Sequence, residues 1–134
     1  MTELPASRPA LLYDSECRLC RFSARVVVRL DRSEELVILP LQDEAAAALL
    51  AGLPEHERSA TWRLARPDGS LTGYGAGAPE LLAAMGTTRP VGRLLRHVPD
   101  GLLERIYTAV ARNRSTLGRF VPDGPAPRRF SSLD

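Results

Sequence analysis

Two cysteines three residues apart, Cys17 and Cys20, are the side chains of this sequence best suited by type and spacing to carry out a reaction. A thiolate attacks a disulfide and a protonated thiol does not, so this chemistry depends on what stabilises the attacking sulfur as an anion. Asp14 lies three residues before Cys17, where it could cap a helix, tune the thiols or accept a proton. The pattern predicts dithiol–disulfide exchange, with Cys17, Cys20 and Asp14 as the catalytic residues.

The sequence around the cysteines predicts a buried strand that leads into a helix. Residues 10–13 form a short apolar run, and residues 14–16 interrupt it with polar side chains suited to starting a helix. From Cys17 to about Leu30 the period is helical, because apolar residues from Leu19 onward recur at spacings of three and four. Cys17 would then meet the unpaired amides and the positive dipole of the first turn, and Cys20 would lie one turn later as the more buried resolving thiol.

Two other interpretations of the cysteine pair do not involve thiol–disulfide exchange. The cysteines could be unreactive buried thiols, or they could be two ligands of a zinc ion. A zinc site needs two more ligands, and the spacing of His56 and His97 matches no compact zinc motif. We therefore predict no metal site, and no bound cofactor, because the two cysteines would carry the electrons themselves.

Four arginines follow the helical rhythm one residue out of phase with the apolar face; these are Arg18, Arg21, Arg25 and Arg29. Such a stripe could steer an acidic partner toward the cysteines, and it is also typical of a solvated helix face. The sequence alone favours the solvated face.

The order of the predicted elements indicates the fold. A second apolar strand, an alanine-rich helix, a hairpin around a Pro-Asp-Gly-Ser turn and further helices follow the first helix, at residues 36–39, 42–51, 61–74, 79–85, 90–97 and 99–113. A strand–helix–strand unit implies a right-handed parallel crossover, and the hairpin adds antiparallel strands. We therefore predict an α/β, thioredoxin-like three-layer sandwich with a mixed four-stranded sheet and extra C-terminal helices.

Length and composition limit the domain organisation and the classes of partner. A chain of 134 residues predicts one domain, which we place at residues 10–114, after a flexible leader (1–9) and before a loosely ordered Pro/Arg-rich tail (115–134). All 18 basic residues are arginine, but the formal net charge is only +2, which does not indicate a nucleic-acid partner. No apolar run is long enough for a membrane, and the N-terminal residues lack a secretory signal. We expect a cytoplasmic protein with no nucleic-acid and no membrane partner.

The stretch Tyr13-Asp14-Ser15-Glu16-Cys17-Arg18-Leu19-Cys20 resembles the Asp-x-x-Cys-x-x-Cys signature of the DCC family, predicted thiol–disulfide oxidoreductases of thioredoxin-like type. Asp68-Gly69 with Gly73-Tyr74 resembles the second hairpin of that family, and Tyr107 with Ala111-Arg112-Asn113-Arg114 resembles its C-terminal helix. The resemblance runs from about Leu11 to Arg114. It implies an oxidoreductase that acts on a protein or low-molecular-weight disulfide and is reset by an upstream thiol reductant.

The sequence departs from this pattern at two places. Ser15 stands where members of the family commonly carry glycine, and a positive φ at that position would strain a serine. Ala60 and Thr61 precede Trp62 at the third predicted strand, whereas redox members of the thioredoxin fold usually have a cis-proline just before that strand. Both departures keep an alternative open, in which the chain is a non-catalytic thioredoxin-like interaction or redox-sensing module.

Overall fold

The structure is a computed structural model, and it describes residues 8–58 and 60–129. The strands are β1 (Ala10–Tyr13), β2 (Val37–Pro40), β3 (Arg63–Ala65) and β4 (Leu71–Gly73). The helices are α1 (Arg18–Leu30), α2 (Glu44–Leu50), α3 (Glu55–Arg58), α4 (Ala78–Ala83), α5 (Arg89–Leu95), α6 (Asp100–Arg112) and α7 (Arg114–Gly118). Within the described part of the chain, no helix has the length and apolar character that crossing a bilayer requires.

The four strands form one mixed sheet with the order β2-β1-β3-β4. β1 pairs with β2 in parallel, with Leu11 opposite Ile38, and with β3 in antiparallel orientation, with Leu11 opposite Leu64. β3 and β4 form the predicted antiparallel hairpin, whose turn contains Gly69 at a φ of 89°. Glycine adopts this left-handed conformation without steric cost, so the turn residues account for the hairpin.

Both faces of β1 are covered, because all four of its residues are buried and successive side chains point in opposite directions. Ala10 and Leu12 belong to one core cluster, which includes residues of α2. Leu11 and Tyr13 belong to a second cluster, which includes Ala24 of α1. α1 and α2 therefore lie on opposite sides of the sheet, and the predicted thioredoxin-like three-layer sandwich is confirmed.

The junction between β4 and α4 holds α6 in place. The Glu104 carboxylate on α6 accepts hydrogen bonds from the amides of Gly75, at 3.1 Å, and Ala76, at 2.8 Å. A Cβ atom at Gly75 would lie 2.2 Å from the carbonyl oxygen of Leu103, so only glycine allows the two backbones to come this close. This contact fixes the part of α6 that forms one wall of the candidate site.

Residues 121–129, named here the C-terminal strap, run along α1 to the outer edge of β2. The strap ends in a backbone pairing with β2, in which the amide of Arg129 donates to the carbonyl of Ile38 at 2.8 Å and the reverse bond measures 2.7 Å. The Arg129 guanidinium also forms an ion pair with Asp31, whose side chain is fully buried. The strap thus connects the end of the described chain to both the first helix and the sheet.

The predicted domain limits stay predictions. The described part of the segment predicted as a loose tail, residues 115–129, contains most of α7 and the C-terminal strap. Of the predicted leader, residues 1–7 lie outside the described residues, as do residues 130–134 of the predicted tail.

Candidate active site

Cys17 is the N-cap residue of α1, with extended backbone angles of φ −100° and ψ 122°. Its Sγ accepts a hydrogen bond from the amide of Cys20 at 3.3 Å. The first amides of a helix have no partner within the helix and point toward its N-cap side chain, where they and the helix dipole stabilise negative charge. The Cys17 sulfur therefore lies at the N-cap position, next to the first amides of the helix that follows it.

Cys20 lies one turn into α1, and its thiol is hydrogen-bonded to the sulfur of Cys17. Burial raises the pKa of the Cys20 thiol to about 12, and the bond to Cys17 and the negative charges of Cys17 and Asp14 act in the same direction. Arg114 has the opposite, smaller effect. Because Cys20 stays protonated at neutral pH, it can donate its hydrogen to the Cys17 sulfur.

Asp14 lies in the turn before α1, where its Oδ1 accepts hydrogen bonds at 2.9 Å from the amide of Glu16 and at 2.9 Å from Nε2 of Gln42. The expected bond from the Asp14 carboxylate to a backbone amide near the start of the helix is present, at Glu16, while the N-cap residue of α1 itself is Cys17. The two residues divide the role because of the chain direction. The turn at residues 14–16 must finish before the helix begins, and an aspartate bonds readily to the amide two residues later.

Side chains from two neighbouring segments hold Ser15, and sequence reasoning missed both. Gln42 Oε1 accepts from the Ser15 amide at 3.2 Å and from its hydroxyl at 2.9 Å, and Arg21 Nη1 donates to the Ser15 carbonyl at 2.9 Å. Among the described residues, the non-glycine residues with a positive φ are Glu34 and Tyr74. Ser15 is not one of them, so the backbone strain that a positive φ would cause there does not arise. The serine hydroxyl instead gives the turn a bond that glycine could not make.

The basic stripe of α1, whose residues Arg18 and Arg29 are exposed, contacts the C-terminal strap through its other side chains as well as through Arg18. Arg18 Nε donates to the carbonyl of Val121 at 3.2 Å. Arg21 forms an ion pair of 2.9 Å with Asp123, and Arg25 donates to the carbonyls of residues 122 and 125 at 2.8 and 3.0 Å. Three of the four predicted arginines therefore hold the strap.

Thr61 stands just before β3, close to where redox members of the thioredoxin fold usually have a cis-proline. Its side chain belongs to a hydrogen-bonded network in the wall of the cavity that Cys20 also lines. Its Oγ1 lies 2.6 Å from the hydroxyl of Tyr107 and accepts from the amide of Tyr74 at 3.2 Å. The Tyr74 hydroxyl in turn donates to Glu57 at 3.0 Å. This network ties the start of β3, the end of β4 and α6 together around one cavity.

Two cavities open beside the dithiol. The first, of about 510 Å³, includes Cys17 and is lined with charged side chains, namely Asp14, Glu16, Arg18, Arg114 and Arg119. The second, of about 330 Å³, includes Cys20 and lies between α1, α6 and the sheet, with mainly apolar walls. Asp14 and Arg114 line both cavities, so they stand where the two meet.

The two histidines lie apart from the cysteines, and both are exposed, His56 on α3 and His97 after α5. Among residues 8–58 and 60–129, no group of three or more histidine, cysteine, aspartate or glutamate side chains is placed to hold a metal ion.

A protein-family model described as DCC1-like thiol-disulfide oxidoreductase matches residues 11–120. The chain belongs to this family. The match confirms the resemblance drawn from the cysteine motif, and the closeness of Cys17 and Cys20 agrees with the family of DCC1-like oxidoreductases. Family membership supports a redox function in thiol–disulfide chemistry, and such chemistry requires thiol or disulfide substrates. No curated protein and no solved structure matches the chain.

Proposed function

We propose that this DCC1-like chain is a dithiol–disulfide exchange enzyme that works mainly as a reductant. Cys17 is the nucleophile and Cys20 the resolving thiol. The observation that carries the proposal is the position of the Cys17 sulfur, which caps α1 and accepts the Cys20 amide at 3.3 Å. A sulfur in that position is stabilised as a thiolate by the helix N-terminus, and a thiolate is the attacking species in exchange.

The exchange takes place in two steps. The Cys17 thiolate attacks one sulfur of a substrate disulfide, which forms a mixed disulfide and releases the other substrate sulfur as a thiolate. Cys20 then loses its proton and attacks the Cys17 sulfur, which forms the Cys17–Cys20 disulfide and releases the second substrate thiolate. The substrate gains two electrons, the dithiol loses two, and an upstream thiol reductant resets the enzyme.

Asp14 supports the second step, because its carboxylate is close enough to Cys20 to raise the pKa of that thiol. We propose that it accepts or relays the Cys20 proton. In Asp14→Asn the side-chain oxygen that bonds the Glu16 amide is kept, so we expect exchange to slow more than the fold is destabilised. Equal exchange rates in the variant and the parent would show that Asp14 has no part in the reaction.

The substrate of this proposal is a protein or low-molecular-weight disulfide, and the place of reaction is the cytoplasm. A reducing compartment keeps such a pair in the dithiol form that can act as a reductant. Cell fractionation with an antibody to the chain tests the location, and recovery outside the cytoplasm would contradict it.

The proposal is tested by titrating the protein in glutathione buffers and counting free thiols. We expect a reversible two-electron transition within roughly −120 to −270 mV, the range of known thiol oxidoreductases. If both thiols stay reduced throughout, or oxidise only between molecules, the chain is no exchange enzyme.

A trapping experiment separates the enzyme from a non-catalytic interaction or redox-sensing module. Cys20→Ser should accumulate mixed disulfides through Cys17, whereas the matched variant Cys17→Ser should accumulate few. A binding module would instead keep its partners after both cysteines are replaced by serine.

A further inference from the structure

The apolar cavity beside Cys20 is not needed to explain exchange at Cys17, and it has the character of a binding site. Its volume of about 330 Å³ falls in the lower range of cavities that bind small organic molecules. Its apolar walls come from α1, the segment before β3, α4 and α6, and they include Leu19, Val27, Trp62, Leu81, Val110 and Ala111. Walls contributed by several elements enclose an aliphatic group better than a single helix face does.

The charged residues at the edge of the same cavity indicate which charge its occupant should carry. Arg114 lines both cavities and forms no ion pair with any residue of the described chain, and neither does Arg119 in the adjoining polar cavity. Asp14 and Glu16 also line that polar cavity, and Asp14 is bonded to the Glu16 amide and to Gln42. Arg114 is the cation that lines the apolar cavity as well, and it is available to pair with an anionic ligand there.

We propose that the apolar cavity binds the aliphatic arm of a small organic disulfide that also carries a carboxylate, with the carboxylate paired to Arg114. This inference rests on the exchange function proposed above, and it names the class of substrate. The substrate sulfur reacts at Cys17 on the polar side of Asp14 and Arg114, and the arm occupies the cavity on the Cys20 side. The products are two carboxylate-bearing thiols and the Cys17–Cys20 disulfide.

The test follows oxidation of the pre-reduced protein in a single turnover by the dipropionate, dibutyrate and dihexanoate members of the dithiodialkanoate series. Loss of free thiols gives a second-order rate constant for each compound. Burial of one methylene is worth about 0.8 kcal/mol, so the rate constant should rise about fourfold for each methylene that enters the cavity. The corresponding dithiodialkanols should react up to about fivefold more slowly, and Arg114→Gln should abolish that difference.

Two alanines of α6 provide a matched pair of variants. Ala111 lines the cavity, so Ala111→Leu fills it and should remove the dependence on chain length. Ala109 is exposed on the same helix and does not line the cavity, so Ala109→Leu should keep that dependence. The comparison uses the ratio of rate constants within each variant, so a general change in thiol reactivity does not affect it.

Binding can also be measured without any reaction, because Trp62 is the only tryptophan of the chain and lines the cavity. In the variant with both cysteines replaced by serine, dithiodihexanoate should quench or enhance Trp62 fluorescence and bind more tightly than dithiodipropionate. Ala111→Leu in the same background should abolish this preference.

Several outcomes overturn the inference. No dependence on chain length in the parent, or the same dependence in Ala111→Leu, would show that the cavity is not the binding site. If Ala111→Leu slows exchange only with a peptide disulfide that has apolar neighbours, the cavity serves protein substrates instead. If even 2-hydroxyethyl disulfide fails to oxidise the dithiol, the exchange function fails, and the Trp62 titration still decides whether the cavity binds these compounds.

Discussion

The two thiols should differ in reactivity by a large factor, although Cys17 caps α1 and Cys20 lies in its first turn. A free cysteine has a pKa of about 8.5, so at pH 8 roughly a quarter of it is thiolate. With its pKa at about 12, only about one Cys20 in ten thousand is ionised at pH 8. Because alkylation requires the thiolate, and a thiolate of higher pKa is the stronger nucleophile, Cys20 should react roughly two to three orders of magnitude more slowly than a free thiol.

Substoichiometric iodoacetamide on the reduced protein measures this difference, since few molecules are then labelled twice. Trypsin cleaves after Arg18, so the two cysteines fall in separate peptides whose labelling can be counted by mass spectrometry. Label should be found almost entirely on Cys17 at pH 8. Labelling of Cys20 should increase about tenfold for each added pH unit while the pH stays below its pKa.

The control is the same reaction in concentrated urea, where both cysteines should be labelled at similar rates because burial and the helix are lost. If Cys20 is labelled within about tenfold of Cys17 in the folded protein, burial does not hold its proton. The assignment of Cys17 as nucleophile and Cys20 as resolving thiol would then lose its physical basis.

Three further predictions concern stability. Asp31→Asn should lower the free energy of unfolding by about 3 kcal/mol in urea titrations, because it breaks a pair with a fully buried carboxylate; a loss under about 1 kcal/mol would contradict this. Asp123→Asn removes an exposed ion pair and should cost less than about 1 kcal/mol in the same assay. Hydrogen bonds from Tyr74 and Arg63 lower the pKa of Glu57, so its stabilising effect is present at neutral pH and is lost as the pH falls through that lowered pKa. Below pH ~4.3, the melting temperature of Glu57→Gln should therefore fall less steeply with decreasing pH than that of the parent protein.

Local patterns were enough to predict the elements that position the cysteines. The apolar spacing along α1 predicted a helix from Cys17 to about Leu30, and the helix runs from Arg18 to Leu30 with Cys17 as its cap. The Pro-Asp-Gly-Ser turn predicted the hairpin of β3 and β4, since only glycine fits its positive φ easily. Such features depend on residues close together in sequence, and a single sequence displays them directly.

The surroundings of the dithiol could not be predicted in this way, because they depend on residues far apart in the chain. The arginines of α1 bind carbonyl oxygens of the C-terminal strap, and a carbonyl is the same for every residue type. Of the strap residues that bind these arginines, Asp123 does so through its side chain, but the sequence contains many carboxylates and does not indicate which arginine each one pairs with. The cavity beside Cys20 likewise arises from the gap between α1 and α6, which no local period encodes.

The C-terminal strap changes which positive charges a substrate meets. The family match ends at residue 120, so the strap lies outside the matched range. The strap binds Arg18, Arg21 and Arg25, and its Asp123 pairs with Arg21, so it reduces the positive charge that the basic stripe presents to an acidic partner. Three guanidinium groups that line the polar cavity form no ion pair within the described part of the chain: Arg18, whose Nε donates to a carbonyl of the strap, and Arg114 and Arg119, which follow α6. Charge selection then acts within the site rather than along the helix, which favours small anionic disulfides over long-range steering of an acidic protein.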